Sequence, residues 1–358
     1  MNYVRNNYNV PGISAAMLIP GKGMWSGACG YSTLEPPDSI RPETISCIMS
    51  STKSFMSTII LQLAEEGKLS LDDSIGNYLT NLPATISGQI TIRQLLTHTS
   101  GLDYPAIGSA EFRAIYAKAG VPSGIGNDQG RLGDRMTVLG GLPLRHHPGE
   151  RFTYSLGSDV LGALVEAVSG QPFDVFLRTR IFEPLGMRDT WFFLPADRHD
   201  RLVTLHDAES GTAAPMRGTV FDGVNPDYPR LVGTYFSGGA GLSSTVEDYA
   251  RFLQLFLNGG ELGGVRLLSR KTVGLMLTDQ LPSMADEVGL GFGLETAAND
   301  HRSPVSLGTF SWGGAYNTTY WADPEEQLVG LIYTNLYNTA HRNIGERFKA
   351  LAYQAIVD

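Results

Sequence analysis

The chain has 358 residues and a mass of 38.8 kDa, roughly two domains' worth at ~150 residues each. Hydrophobic residues make up 42% and charged residues 18%, a globular balance that argues against intrinsic disorder. With 27 basic and 36 acidic residues the net charge is −9, which repels a phosphate backbone and disfavours nucleic-acid binding.

Two cysteines, Cys29 and Cys47, are too few for a disulfide scaffold or a Cys-based structural zinc site. A single bridge between them stays open. No apolar run reaches the ~18 residues that span a bilayer, so no membrane span is expected. Met1 to Arg5 has no apolar core of a signal peptide. As given, the sequence reads as cytoplasmic; removal of a leader would make it periplasmic or secreted.

In chain order, Gly12–Ile19 and Met24–Tyr31 read as strands joined by the turn chemistry of Pro20-Gly21-Lys22-Gly23. From Ser50 to Glu66 the pattern predicts a helix, apolar on a broad surface through Phe55, Ile59, Leu61, Leu63 and Ala64 and stopped by Gly67. Thr91–Leu96 is a short helix closed by Thr99-Ser100-Gly101. Helices follow at Ser158–Val168, Phe173–Ile181, Val246–Leu257 and Ser269–Leu277. Phe310–Trp312, Thr318–Ala322 and Leu328–Tyr333 read as strands, with Asp323–Gln327 as a hairpin loop and a final helix over Ile344–Ile356. The simplest assembly pairs the terminal strands in one antiparallel sheet, giving a sheet domain of residues 1–70 and 230–358. Residues 71–229 then form a mostly helical lobe, with a site in the cleft between.

Common catalytic signatures are absent. There is no G-x-S-x-G, H-E-x-x-H, G-x-x-x-x-G-K-[ST] or G-x-G-x-x-G, so nucleophile-elbow, zincin, P-loop and Rossmann readings lose their support. The adjacent His146-His147 reads as a pair of solvated turn residues, and no metal or organic cofactor is expected.

Ser50-Ser51-Thr52-Lys53 opens the long helix. At i and i+3 a hydroxyl and an amine share a helix face. The helix N-terminus disfavours the ammonium, and a neutral amine can accept the serine proton. Alone the motif is weak: with six lysines, about 0.4 matches arise by chance.

Its surroundings add to it. Ile48–Phe55 is followed by Leu61–Asp73. Leu95-Leu96-Thr97-His98-Thr99-Ser100-Gly101-Leu102 comes next, then Tyr154-Ser155-Leu156 with Asp159–Gly162, Gly241–Thr245 with Asp248-Tyr249, and Trp312-Gly313-Gly314-Ala315. In this order the chain resembles the serine β-lactamase and penicillin-binding-protein superfamily, specifically its class C β-lactamase-like branch, from Pro11 to the last strand. The resemblance implies an α/β (α+β) serine β-lactamase-like fold: an antiparallel sheet flanked by helices plus a mostly helical lobe. It implies Ser50 as nucleophile, with Lys53 and Tyr154 sharing proton transfer; which of the two takes the first proton stays open. It also implies an oxyanion hole from the backbone N–H groups of Ser50 and Ala315. Trp312, Gly313, Gly314, Tyr104 and Leu156 are the expected substrate-binding residues. His98 reads as structural and Cys47 as a small buried residue.

Two departures from the lactamase pattern bear on substrate. Leu156 stands where Tyr-x-Asn carries its amide, and Trp312 stands where Lys-Thr-Gly carries its cation. Losing the charge partner of a buried carboxylate costs on the order of 1.5–3 kcal/mol. An uncharged aromatic site favours neutral acyl esters, and Tyr-Ser-Leu with Trp-Gly-Gly is similar to the family VIII carboxylesterases. Arg302 is a candidate replacement cation. The expected function is a serine hydrolase, first a carboxylesterase on short acyl esters with weak β-lactamase activity as a possible accompaniment. The alternatives are an amide hydrolase (β-lactamase, D-Ala-D-Ala carboxypeptidase or D-aminopeptidase), an acyltransferase, or a catalytically silent acyl-ligand receptor. The expected partner is a small-molecule ester or amide; oligomeric state is left open.

Overall fold

The structure is a computed structural model, and it describes residues 1–83, 88–126, 129–208, 211–216, 218, 224–337 and 343–356. Strands from both ends of the chain build one sheet. At the N-terminal end, helix α1 (Asn2–Tyr8) precedes β1 (Gly12–Ile19), β2 (Gly23–Leu34) and the short edge strand β3 (Pro37–Ser39). The β1–β2 turn is as expected: Gly21 and Gly23 take the positive φ it needs, and the Lys22 N–H donates to the Ile19 carbonyl. A two-residue strand β4 (Ser46–Cys47) then leads through a 3-10 turn at Met49–Ser51 into helix α2 (Thr52–Glu65).

The middle of the chain is helical, with α3 (Ile92–Leu96), α4 (Ala110–Ala119), α5 (Leu132–Leu139), α6 (Gly157–Ser169) and α7 (Phe173–Leu177). Beyond them lie β5 (Ser243–Ser244), α8 (Val246–Leu257) and α9 (Arg270–Met276). The chain returns through β6 (Gly293–Leu294), β7 (Phe310–Gly314), β8 (Thr318–Asp323) and β9 (Leu328–Thr334) to α10 (Ile344–Tyr353). The seven-stranded sheet has the order β6-β7-β8-β9-β1-β2-β3, antiparallel throughout. The expected pairing of the two ends is the β1–β9 ladder, with Ile13 opposite Thr334 and Leu18 opposite Val329.

Helix α2 is buried nearly all round, from Thr52 to Leu63, its polar residues included. Phe55 anchors it: its ring lies 4.1 Å from Phe252 and 5.3 Å from both Tyr249 and Phe182, centroid to centroid. Ser54 in the first turn is hydrogen-bonded on two sides. Ser54 Oγ lies 2.7 Å from the Tyr320 hydroxyl on β8 and 2.9 Å from the Tyr249 hydroxyl on α8, and Tyr249 also donates to the Ser51 carbonyl. The first turn of α2 is thus tied to the sheet and to α8 before any ligand arrives.

Three of the helices, α1, α4 and α5, and the short strands β3, β4, β5 and β6 are not expected from the sequence. The helix expected over Phe173–Ile181 is regular only to Leu177 and continues as a wide π turn through Phe182. His146 corrects the reading of a solvated pair. It is 7% exposed, and its two ring nitrogens lie 2.9 Å from the Thr153 hydroxyl and 2.8 Å from the His147 carbonyl. The cause is a close packing of two loops. Gly101, at φ +84°, leaves no room for a Cβ beside the His146 carbonyl, and the Arg145 and Gly149 N–H groups donate to Gly101 and Thr99. His147 remains exposed. Both cysteines are free thiols. Cys47 is buried, and burial pushes it up to about 11.

Candidate active site

Met49 holds φ at +48°, an uncommon conformation for a non-glycine residue, and this turns the chain from β4 into the first turn of α2. Ser50 sits at that corner, half-buried, with Lys53 one turn on. The i, i+3 spacing does bring the two together: Lys53 Nζ is 3.5 Å from Ser50 Oγ. The amine has a stronger partner, however, donating to the Gly239 carbonyl at 2.7 Å. The Tyr154 hydroxyl donates to Ser50 Oγ at 2.8 Å, and Lys53 Nζ stands 4.6 Å from the Tyr154 ring centroid. Of the two candidate proton acceptors, the phenol is the nearer to the hydroxyl.

Tyr154 is held from several sides. Tyr104 stacks on it with centroids 5.6 Å apart and planes within 5°, and Trp312 lies 6.1 Å away on a near-parallel plane. His98 packs 4.6 Å away and grips the adjoining backbone. Its carbonyl accepts the Thr153 N–H at 2.7 Å, and its Nδ1 accepts the Ser155 N–H at 3.3 Å. His98 is 5% exposed, and burial together with the Lys53 charge pulls it down to about 3, so it is a neutral hydrogen-bond acceptor. The structural reading of His98 agrees with this.

The sheet supplies the other wall. Gly314 on β7 packs directly over the chain leading to Ser50: a Cβ there would lie 2.4 Å from the Ile48 carbonyl oxygen and 3.0 Å from Met49 Cβ. Only glycine lets the strand come so near. Gly313 is equally tight, its absent Cβ 2.7 Å from the Thr318 carbonyl. Ala315 follows in the exposed turn after the strand. Trp312 is partly exposed and brings the cleft its aromatic face.

Two expected cleft residues have different surroundings. Leu156 is 1% exposed and belongs to the main hydrophobic core, because it caps α6 from the inside. Tyr104 is 2% exposed; it lies behind Tyr154 with Lys53 5.5 Å from its ring centroid, so it backs the catalytic candidates instead of lining open space. Arg302 ends an exposed turn and its charge acts on Glu295, not on this group. Among the described residues no cluster of three or more His, Cys, Asp or Glu side chains could hold a metal ion, and no single helix is long and apolar enough to cross a membrane.

One polar residue had no role in the sequence reading. Asp159, on α6, is 0% exposed. Its carboxylate accepts from Ser237 Oγ at 2.8 Å, the Gly239 N–H at 3.0 Å and the Tyr235 hydroxyl at 3.2 Å. Burial holds the carboxyl above its ordinary range, against the pull of these donors and of Lys53.

A model of the family described as Beta-lactamase matches residues 2–354. The chain belongs to this family. This β-lactamase-family chain is 30% identical to Esterase EstB of Burkholderia gladioli over 358 residues, covering 93% of this chain and 87% of that one. It is 33% identical to Protein Rv1367c of Mycobacterium tuberculosis over 337 residues, covering 85% and 80%. Among solved structures it superposes on "EstCE1, a hydrolase with promiscuous acyltransferase activity" with a TM-score of 0.87 and 25% identity, covering 98% of this chain and 96% of that one. The α/β fold expected from the sequence is the fold of these neighbours. As a β-lactamase-family member the chain is a hydrolase.

Proposed function

We propose that the protein is a carboxylesterase that hydrolyses short-chain acyl esters through an acyl-enzyme on Ser50. The observation that carries this reading is the 2.8 Å contact between the Tyr154 hydroxyl and Ser50 Oγ, beside a buried ammonium and under an uncharged aromatic wall. The Tyr154 oxygen, with the Lys53 amine beside it sharing the transfer, takes the Ser50 proton as Oγ attacks the ester carbonyl carbon. The Ser50 and Ala315 N–H groups stabilise the oxyanion. The tetrahedral intermediate collapses, and the alcohol leaves with the proton returned by Tyr154. Water repeats the sequence in the second half, releasing the acid and restoring Ser50. Trp312, standing where a lysine would hold a substrate carboxylate, favours neutral esters. The esterase name of the Burkholderia gladioli relative supports the same choice.

The test follows p-nitrophenol release from a short-chain ester alongside intact mass. Wild type is expected to turn over with a transient acyl adduct, and Ser50→Ala to lose both. An unchanged rate in Ser50→Ala would remove Ser50 as nucleophile. Acyl transfer is the second reading, on the strength of the EstCE1 description. Product analysis with a competing alcohol separates it: a new ester means transfer, the free acid alone means hydrolysis.

A further inference from the structure

Lys53 does not owe its position to Ser50. Its short bond goes to the Gly239 carbonyl, and Gly239 is in turn held through its N–H by Asp159. Residue 239 is therefore gripped on both sides of its Cα. A Cβ at Gly239 would lie 3.5 Å from Lys53 Nζ, 3.6 Å from Asp159 Oδ1 and 3.6 Å from the Tyr104 hydroxyl, so ammonium, carboxylate and phenol ring one point and the two charges lie within about 7 Å. Lys53 is 4% exposed, Tyr104 2% and Asp159 0%, so water screens none of them. The carboxylate is itself built in. Ser237 and Tyr235 donate to it, and Gly124, at φ +75°, packs so close that a Cβ there would lie 2.3 Å from Oδ2. Three donors converging on one buried carboxyl favour its ionised form and work against the burial that raises it.

We propose that Asp159 is the positioning residue of the site: its buried carboxylate fixes Gly239, and through the Gly239 carbonyl it holds Lys53 and balances its charge beside Tyr154. This rests on the Ser50 acyl-enzyme reading but not on the identity of the ester. Asp159 touches neither substrate nor Ser50. It acts through the groups that face it: Lys53 from α2, Tyr104 from the loop after α3, and Tyr235 from the segment before β5. Tyr154 and His98 stand beyond Lys53, and Arg135 beyond Tyr235.

The test is the pH dependence of Ser50 labelling by a fluorophosphonate, read by intact mass. Labelling needs an activated serine and no particular ester, so a wrong substrate class leaves this readout intact. Asp159→Asn keeps an oxygen for the Gly239 N–H and Ser237, removes the charge, and turns an NH2 donor towards the Tyr235 hydroxyl. Taking a buried negative charge away eases every deprotonation near it, so the whole bell-shaped profile is expected to move to lower pH by about 1 unit. Ser237→Ala keeps the carboxylate and removes one donor. A more weakly held carboxylate is neutralised at higher pH, so the acid limb is expected to move to lower pH as in Asp159→Asn but by less, while the alkaline limb stays where it is in wild type. Movement of both limbs in one variant and of the acid limb alone in the other distinguishes a charge effect from a loss of packing. A profile that stays in place for Asp159→Asn, at whatever rate, overturns the proposal. Should that variant not fold, an unmoved acid side in Ser237→Ala overturns it equally.

Discussion

The two walls of the cleft are built on opposite principles. The sheet wall, Trp312 to Gly314, contributes one ring and a length of backbone, and its closeness comes from side chains that are missing. The helical wall contributes polar groups, each over-determined: Tyr154 has three aromatic neighbours, and Asp159 accepts three hydrogen bonds. The difference teaches where chemistry and selectivity divide. Proton transfer needs groups fixed to within tenths of an ångström, which takes a rigid second layer. Admitting a substrate needs room beside an oxyanion hole, which takes glycine. Changes on the helical wall should strike rate, and changes on the sheet wall should strike access and preference.

After Ser50→Ala, the largest effect is expected from Tyr154→Phe. It removes the hydroxyl 2.8 Å from Ser50 Oγ and leaves the stacked ring, so kcat/KM for a p-nitrophenyl ester should fall about 10²–10⁴-fold with the melting temperature unchanged. A fall under tenfold would pass the proton to Lys53. Next is Gly314→Ala. The new methyl meets the Ile48 carbonyl, a backbone atom that cannot swing aside, so β7 or the Met49–Ser50 corner must shift. Displacement of about 1 Å at a reacting group costs about 10²-fold, again in kcat/KM. Full activity would show that the strand does not form the oxyanion wall.

Trp312→Lys sharpens the comparison further, because its effect depends on the substrate. Loss of the ring beside Tyr154 should lower turnover of a neutral ester by about 2- to 12-fold, the worth of one aromatic pair. The introduced cation should raise turnover of a carboxylate-bearing substrate such as a chromogenic cephalosporin relative to that ester. Equal losses on both substrates would place Trp312 in structure and not in selection.

The same division governs what could be read from the sequence. Ser50 and Lys53 meet through helix periodicity, a local rule, and the Pro20–Gly23 turn is equally local. Tyr154 was reachable only through resemblance, because 104 residues separate it from Ser50. Asp159 stood inside a recognised motif yet had no legible role: its partners Tyr235, Ser237 and Gly239 lie 76 to 80 residues away. The place of Leu156 after Tyr154 points to the cleft, but the start of α6 turns it into the core. His146 looked solvated beside His147, since nothing local announces that Gly101 will seat its carbonyl.

The smallest change in rate, and the clearest in stability, belongs to His98. Its folded form is held down to about 3 by burial and by Lys53, whereas an unfolded histidine titrates at 6.5. Acid therefore protonates the unfolded chain first, and the folded state loses about 1.4 kcal/mol for each pH unit below 6.5 until the folded value is reached. His98→Gln has no such proton to take up, and its amide oxygen can still accept the Ser155 N–H that Nδ1 accepts now. Asp248 works in the opposite sense: burial lifts it to about 6, so its folded carboxyl gains a proton before the unfolded one and stabilises the fold as pH falls from 6 towards 4. That contribution is common to both proteins and cancels in their difference. Urea unfolding at pH 7 and pH 5 should show wild type losing about 2 kcal/mol more than His98→Gln over that interval. Parallel losses would mean that the imidazole is charged in the folded protein, and that the support behind Tyr154 is electrostatic instead of a neutral clamp.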